Sequence, residues 1–190
     1  MSYENMSGLN LENFLKLAHS PLQNYIVPGL TSSLIGERSE KGGITRLFVN
    51  TRTQHDHITP HSHRFNFQCL VLRGHVLNTV FRQDDGGDEY GSTVMLYNGR
   101  AGNLSVNHSL GTDIGRWAFD VKRFNAGAWY GMSYDQIHSI NFSRDAVVLF
   151  FEGPQITDSS VILEPVVDGE VVRTFKTEPW MFRRSNEVKP

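Results

Sequence analysis

The chain reads as an all-β protein, a closed sandwich or barrel preceded by a short helix. Three observations lead there. Short runs rich in β-branched and aromatic residues recur at 44–49, 67–72, 76–81, 94–97, 117–124 and 146–151. Glycine is plentiful, 17 of 190 residues, and glycines or clusters such as Asp84, Asp85, Gly86 and Gly87 separate several of those runs. No long helical periodicity lies between them, as an alternating α/β architecture would require.

The elements follow in order. Leu11, Phe14, Leu15 and Ala18 recur at helical spacing, so a short amphipathic helix is expected over residues 9–18, stopped by Pro21. Residues 37–43 are charged and glycine-rich and read as a turn. Arg73 and Gly74, between the runs at 67–72 and 76–81, read as the tight turn of a hairpin. A last hairpin is expected over 161–175 around Asp168 and Gly169, followed by a tail carrying Trp180 and Phe182. A chain of 190 residues suits one domain, and a domain near that size buries roughly 70% of the surface its unfolded chain exposes. Within it we expect an N-terminal helical extension at 1–43, the barrel at 44–155, and a C-terminal hairpin and tail at 156–190 packed on the barrel.

Composition narrows the function classes. A formal net charge of -2 gives no general attraction to phosphate backbones, so nucleic acid is not an expected partner. Cys69 is the only cysteine, so no internal disulfide forms, and it reads as a small core residue. No apolar run is long enough to span a membrane, and the polar start lacks the order of a signal peptide. The expectation is a cytoplasmic protein. Phosphate loops, nucleophile elbows and Cys-x-x-Cys pairs are all lacking in the sequence.

What stands out is histidine. His55, His57, His61 and His63 fall within one short stretch, as two His-x-His pairs. On an extended strand, side chains two apart share a face, so both imidazoles of a pair can reach one ion. Spacing alone does not choose between the pairs. The surroundings do: Pro60, His61, Ser62 and His63 lead directly into the apolar run that ends at Gly74.

At this point the sequence resembles the cupin superfamily. Its first motif has His-x-His, an acidic residue shortly after, and a hairpin glycine. Here Gln68 stands at the acidic position, and Gly74 comes one residue early. The second motif is matched in frame by Gly127, Ser133, Asp135, His138 and Asn141, with Ser and Asp replacing Pro and Gly, and Asn141 one position early. The resemblance covers residues 44–151 and implies a cupin-type double-stranded β-helix, a jelly-roll barrel, that pairs as a homodimer. It also implies a divalent metal held by His61, His63 and His138, with His57 in reserve. Fe(II) is the expected ion, with Zn, Ni or Mn as alternatives.

A neutral three-His site leaves the ion positively charged, which favours an anionic small-molecule ligand. Gln68 is expected to coordinate the ion weakly through its amide oxygen or to hydrogen-bond a bound water beside the substrate, Arg46 and Arg64 to clamp a carboxylate, and Tyr130 and Tyr134 to move a proton in catalysis. Phe65, Phe67, Leu70, Leu72, Trp129, Phe142 and Phe150 are expected to make the pocket apolar. The stretch from His55 to His57, with Cys69 and the glycine-closed hairpin, is also similar to the thiol dioxygenase branch of cupins. Cys69 lies one residue beyond the position that some of those enzymes cross-link to tyrosine, so the cross-link is not carried over. The function so implied is a non-haem Fe(II) dioxygenase acting on a small thiol or carboxylic acid. The alternatives are a non-enzymatic cupin serving as a small-molecule or metal-binding module, and a metal-dependent isomerase.

Overall fold

A computed structural model describes residues 11–36, 43–54, 58–98 and 105–172. In chain order the elements are α1 (Leu11–Leu17), β1 (Ala18–Leu22), β2 (Leu30–Ile35), β3 (Thr45–Asn50), β4 (Phe65–Arg73), β5 (His75–Asn98), β6 (Ser105–Asn125), β7 (Trp129–Met132), β8 (Ile137–Phe142), β9 (Val147–Gln155), β10 (Ser159–Val167) and β11 (Glu170–Val171). One sheet runs β1-β2-β3-β9-β4-β7; the other runs β11-β10-β5-β6, with β8 also paired to β5. All pairings are antiparallel. The series β3-β9-β4-β7 facing β8-β5-β6 is the order of a jelly roll, so the chain is an all-β, cupin-type barrel with one short helix.

Strand alternation sorts the apolar residues into two layers. Phe67, Cys69, Val71, Val148 and Phe150 point inward and pack with Val76 and Phe142 from the opposite sheet. Leu47, Leu70, Val147 and Leu149 point outward from the first sheet and are covered by Leu11 and Phe14 of α1. Burying one such leucine contributes about 1.5–3 kcal/mol.

Several elements differ from the sequence expectation. Gly74 does join two strands, but β4 and β5 never pair with each other. The chain instead passes from one sheet to the other there. Gly74 has φ +71°, and a Cβ would meet Ser143 Oγ at 2.6 Å and Ala146 Cα at 3.0 Å, so only glycine fits the crossing. The cluster Asp84 to Gly87 does not end a strand either. It loops out of β5 as a bulge, since Gln83 and Asp88 both oppose Trp117 of β6. The helix spans Leu11–Leu17, and the stretch behind it carries two strands, β1 and β2, that extend the first sheet. At the other end the turn between β10 and β11 falls on Asp168 and Gly169, with φ of 53° and 79°. Both values are positive, as the tight turn of a hairpin needs. The part of that expected hairpin beyond Val172, and Trp180 and Phe182, lie outside the described residues.

Candidate metal centre

The segment from Pro60 to His63 lies between β8 and β10 of the second sheet and leads into β4 of the first. His61 donates its N–H to the His138 carbonyl at 2.9 Å and accepts the His138 N–H at 3.0 Å. Two residues that exchange both backbone bonds stand directly opposite, with their side chains on one face. His63 follows two residues on, and its N–H donates to the Tyr134 carbonyl at the end of β7. Ser62, pointing the other way, fastens the segment to β10 through Val161. From behind, the Ser139 hydroxyl donates to the Ile58 carbonyl at 2.5 Å, so the approach to His61 is anchored as well.

The three side chains consequently meet. One ligating nitrogen from each of His61, His63 and His138 lies within 4.8 Å of the others. His63 Nε2 and His138 Nε2 are 2.9 Å apart. Two ligands about 2.1 Å from an ion and about 90° apart would be separated by roughly 3.0 Å, so this spacing suits neighbouring positions on one ion. Partners select the tautomers. His61 Nδ1 donates to the Thr59 carbonyl at 2.8 Å, and His138 Nδ1 donates to Asn78 Oδ1 at 2.6 Å. Both leave an Nε2 lone pair free, and such supporting partners hold metal-binding imidazoles in orientation. The donor set therefore fits a divalent transition metal.

Electrostatics agree with neutral ligands. Burial lowers the pKa of all three histidines; His63 and His138 fall well below the ordinary 6.5. Positive charge on His61, His138 or the neighbouring Arg64 would further oppose protonation of His63, whereas the Thr59 carbonyl partly offsets burial at His61. The sign for stability follows. Below pH 6.5 the unfolded chain takes up protons that the folded cluster refuses. The metal-free protein should therefore lose stability from pH 7 towards pH 5, each histidine contributing at most about 1.4 kcal/mol per pH unit. Urea midpoints at the two pH values test this; equal midpoints would show that the cluster accepts protons without cost.

Asn78 is buried on β5, and its amide also reaches Met132 Sδ at 3.4 Å. Asn78→Leu should weaken metal binding by roughly 10–100-fold, because it removes the acceptor that aims His138. Competition against a chelator of known affinity measures the loss.

The other expected site residues are placed differently. Phe65, Phe67 and Phe150 do wall the cluster, with Phe67 at 4.7 Å from His63 and 5.5 Å from His138 between ring centroids. Leu70 and Leu72 belong to the outer layer under α1, and Trp129 stacks on Phe151 at 5.5 Å on that same side. Gln68 is exposed, on the face of β4 opposite Phe67, because alternation along the strand turns it away from the histidines. Gln68→Glu should accordingly leave metal affinity unchanged in the same competition assay.

Tyr130 is not beside the cluster. It opposes Cys69, one inward row deeper than the Phe67–Met132 pair, and its ring stacks on Phe124 at 4.5 Å. Burial raises its pKa well above 10, and it raises that of Cys69 to about 12, so neither group ionises near neutrality. Tyr134 is partly exposed and contributes its backbone, accepting from His63 and donating to Asn66 Oδ1. Arg46 faces inward opposite Phe150, with its guanidinium donating to Ser32 Oγ at 3.3 Å and lying 6.0 Å from the Tyr25 ring centre. Arg64 sits at the alternate position between His63 and Phe65. Asn141 lies three register steps beyond His138 on β8, opposite Leu77 and on the other face of the strand. His55 and His57, the reserve ligand included, fall outside the described residues. Sequence reading overlooked Asn78 and Thr59. An Asn on an inward β5 position was the only available signal, and its partner is distant in the chain.

No protein-family model matches the chain. No curated protein matches it either. Among solved structures, it is similar to the hydroxypropylphosphonic acid epoxidase from S. wedmorenis, with TM-score 0.42 and 11% identity over 73% of this chain and 56% of that one. It is also similar to KdgF from Halomonas sp., with TM-score 0.40 and 14% identity over 72% of this chain and 89% of that one. A third is the oxalate decarboxylase of Lactobacillus farciminis in a formate complex, with TM-score 0.42 and 13% identity over 74% of this chain and 32% of that one. The match thus spans about half the length of the epoxidase and a third of the decarboxylase. No helix among the described residues is long and apolar enough to cross a membrane. By its own strand order, the chain has a cupin-type double-stranded β-helix with three histidines gathered where the segment leading into β4 bridges β8.

Proposed function

We propose that the chain binds one divalent ion through His61, His63 and His138 and works as a non-haem Fe(II) dioxygenase on a small anionic substrate, a thiol or carboxylic acid. The observation that carries this reading is the convergence of three neutral imidazoles, two of them aimed by Thr59 and Asn78. When bound, Fe(II) would supply Lewis acidity and redox chemistry at a centre with open coordination positions. The histidines add no negative charge, so the positive charge left at the centre selects an anion. Phe65, Phe67 and Phe150 exclude water from one side, which strengthens that attraction. Arg46, inward on β3, is the candidate to hold a carboxylate end.

Metal analysis of protein purified without chelator comes first and separates Fe from Zn, Ni and Mn. Fe(II) loading without air, followed by O₂, should then give oxygen consumption only when a thiol or carboxylic acid from a screened panel is present. If the ion binds and no member of the panel drives uptake, the dioxygenase reading fails. A metal-binding module without catalysis is then the reading that remains, and the outward Gln68 and the deeper Tyr130 favour it. The same positions disfavour an isomerase, which needs a proton-moving side chain at the centre.

A further inference from the structure

Arg46 brings a charge into an interior walled by aromatic rings, opposite Phe150 of β9. Its Nη1 donates to Ser32 Oγ at 3.3 Å, and Ser32 is fully buried on β2, so that hydroxyl positions the guanidinium. Among the described residues no carboxylate forms an ion pair with Arg46. A guanidinium carries five N–H donors in a fixed fork. The remaining ones can take an anion, and Arg46 is partly exposed to receive it. The turn beside it is strained. Ile26 has φ 67°, a backbone conformation that β-branched residues rarely adopt, and the Val27 N–H closes the turn onto the Tyr25 carbonyl at 2.8 Å. That turn sets the Tyr25 ring 6.0 Å from the guanidinium and stacks it on Phe48 at 5.9 Å. Strain of this kind gathers where a ligand is clamped.

Distance then defines the ligand. Arg46 lies two strands from β4, across β9, which is about 10 Å at the usual strand spacing. Its guanidinium turns further away, towards Ser32 on β2. A short acid cannot touch both this guanidinium and an ion on the histidines. The wall between them is a file of rings: Phe48 to Phe150 at 5.6 Å, Phe150 to Phe67 at 5.0 Å, and Phe67 to His63 at 4.7 Å. Such rings favour a flat aromatic body packed offset or edge-on against them. We propose that the ligand is an arylalkanoic acid, with its carboxylate on Arg46, its ring along Phe48 and Phe150, and its reacting group towards the histidines. Only the placement of the reacting group rests on the metal-dependent reading above, because the carboxylate and the ring need no ion to bind.

Titration calorimetry on the metal-free full chain tests this with phenylpropanoate as the probe. The wild type should bind it. Propanoate, which lacks the ring, and phenylpropanol, which lacks the charge, should each bind more weakly by about tenfold or more. Arg46→Met should weaken phenylpropanoate by roughly 10–100-fold, the range for hydrogen bonds to a charged group. It should leave phenylpropanol binding unchanged, which separates loss of the anion contact from loss of fold. Arg46→Lys should recover part of the loss, since it keeps the charge without the fork. A wild type that does not bind phenylpropanoate would overturn the proposal. So would equal affinity for propanoate, or an Arg46→Met variant that binds phenylpropanoate as tightly as the wild type. Arg46-dependent binding without any oxygen uptake would remove the dioxygenase reading and keep this one. Oxygen uptake driven by short acids and indifferent to Arg46→Met would do the reverse.

Discussion

His138→Ala should reduce bound divalent metal from one ion per chain to background. His138 supplies an Nε2 to the cluster, and its Nδ1–H donates to Asn78 Oδ1 at 2.6 Å. Removing it takes away one of three ligands and the donor that the buried Asn78 amide oxygen accepts from. The loss of affinity should exceed the roughly 10–100-fold that follows removal of a supporting partner. His138→Gln, which fills more of the volume, should lose the metal as well while unfolding at a higher temperature than the alanine variant. His19→Ala is the control: His19 is exposed on β1 and bonded to Ser20 and Gly36, far from the cluster in the fold. Elemental analysis after gel filtration reads all of them. Full metal retention by His138→Ala would remove the three-histidine site.

Phe67→Ala should cost about 3–5 kcal/mol of folding stability, the range for truncating a buried phenylalanine. Phe67 is 4% exposed and touches Phe150 at 5.0 Å as well as both His63 and His138. The cavity would open directly behind the metal centre, so metal affinity should fall together with stability. Phe67→Leu should recover most of both. Leu17→Ala, on an exposed position of α1, should stay within about 0.5 kcal/mol of wild type. Denaturant unfolding of the metal-free proteins measures the stability, and a Phe67→Ala variant as stable as Leu17→Ala would show that the aromatic wall is not packed as described.

Much of the barrel could be read along the chain because β texture is local. The runs at 44–49, 67–72 and 146–151 became β3, β4 and β9 with small shifts at their ends, since apolar residues on both faces of a buried strand leave a clear trace. β1, β2 and β7 left none. Ala18–Leu22 contains a proline, Leu30–Ile35 is half serine and threonine, and Trp129–Met132 is four residues long, so each becomes a strand through its neighbours. The bulge from Asp84 to Gly87 misled for the same reason. Its composition is that of a turn, yet the pairing of β5 with β6 resumes on its far side.

By itself the sequence determined the class of the fold, the helix that covers it, and the three histidines that come together. The class, the helix and the His61–His63 pair depend on residue type and on spacing along one segment, whereas His138, 75 residues from His63, entered only through the resemblance of residues 127–141 to the second cupin motif. Tertiary structure alone decided which way the neighbours of the histidines face. A period of two assigns residues to alternate faces but does not say which face becomes the inside. That choice came from β4 lying between β9 and β7, and it turned Phe67 towards the cluster and Gln68 to solvent. It also set Tyr130 a row too deep, brought Asn78 behind His138, and made Gly74 a crossing between sheets.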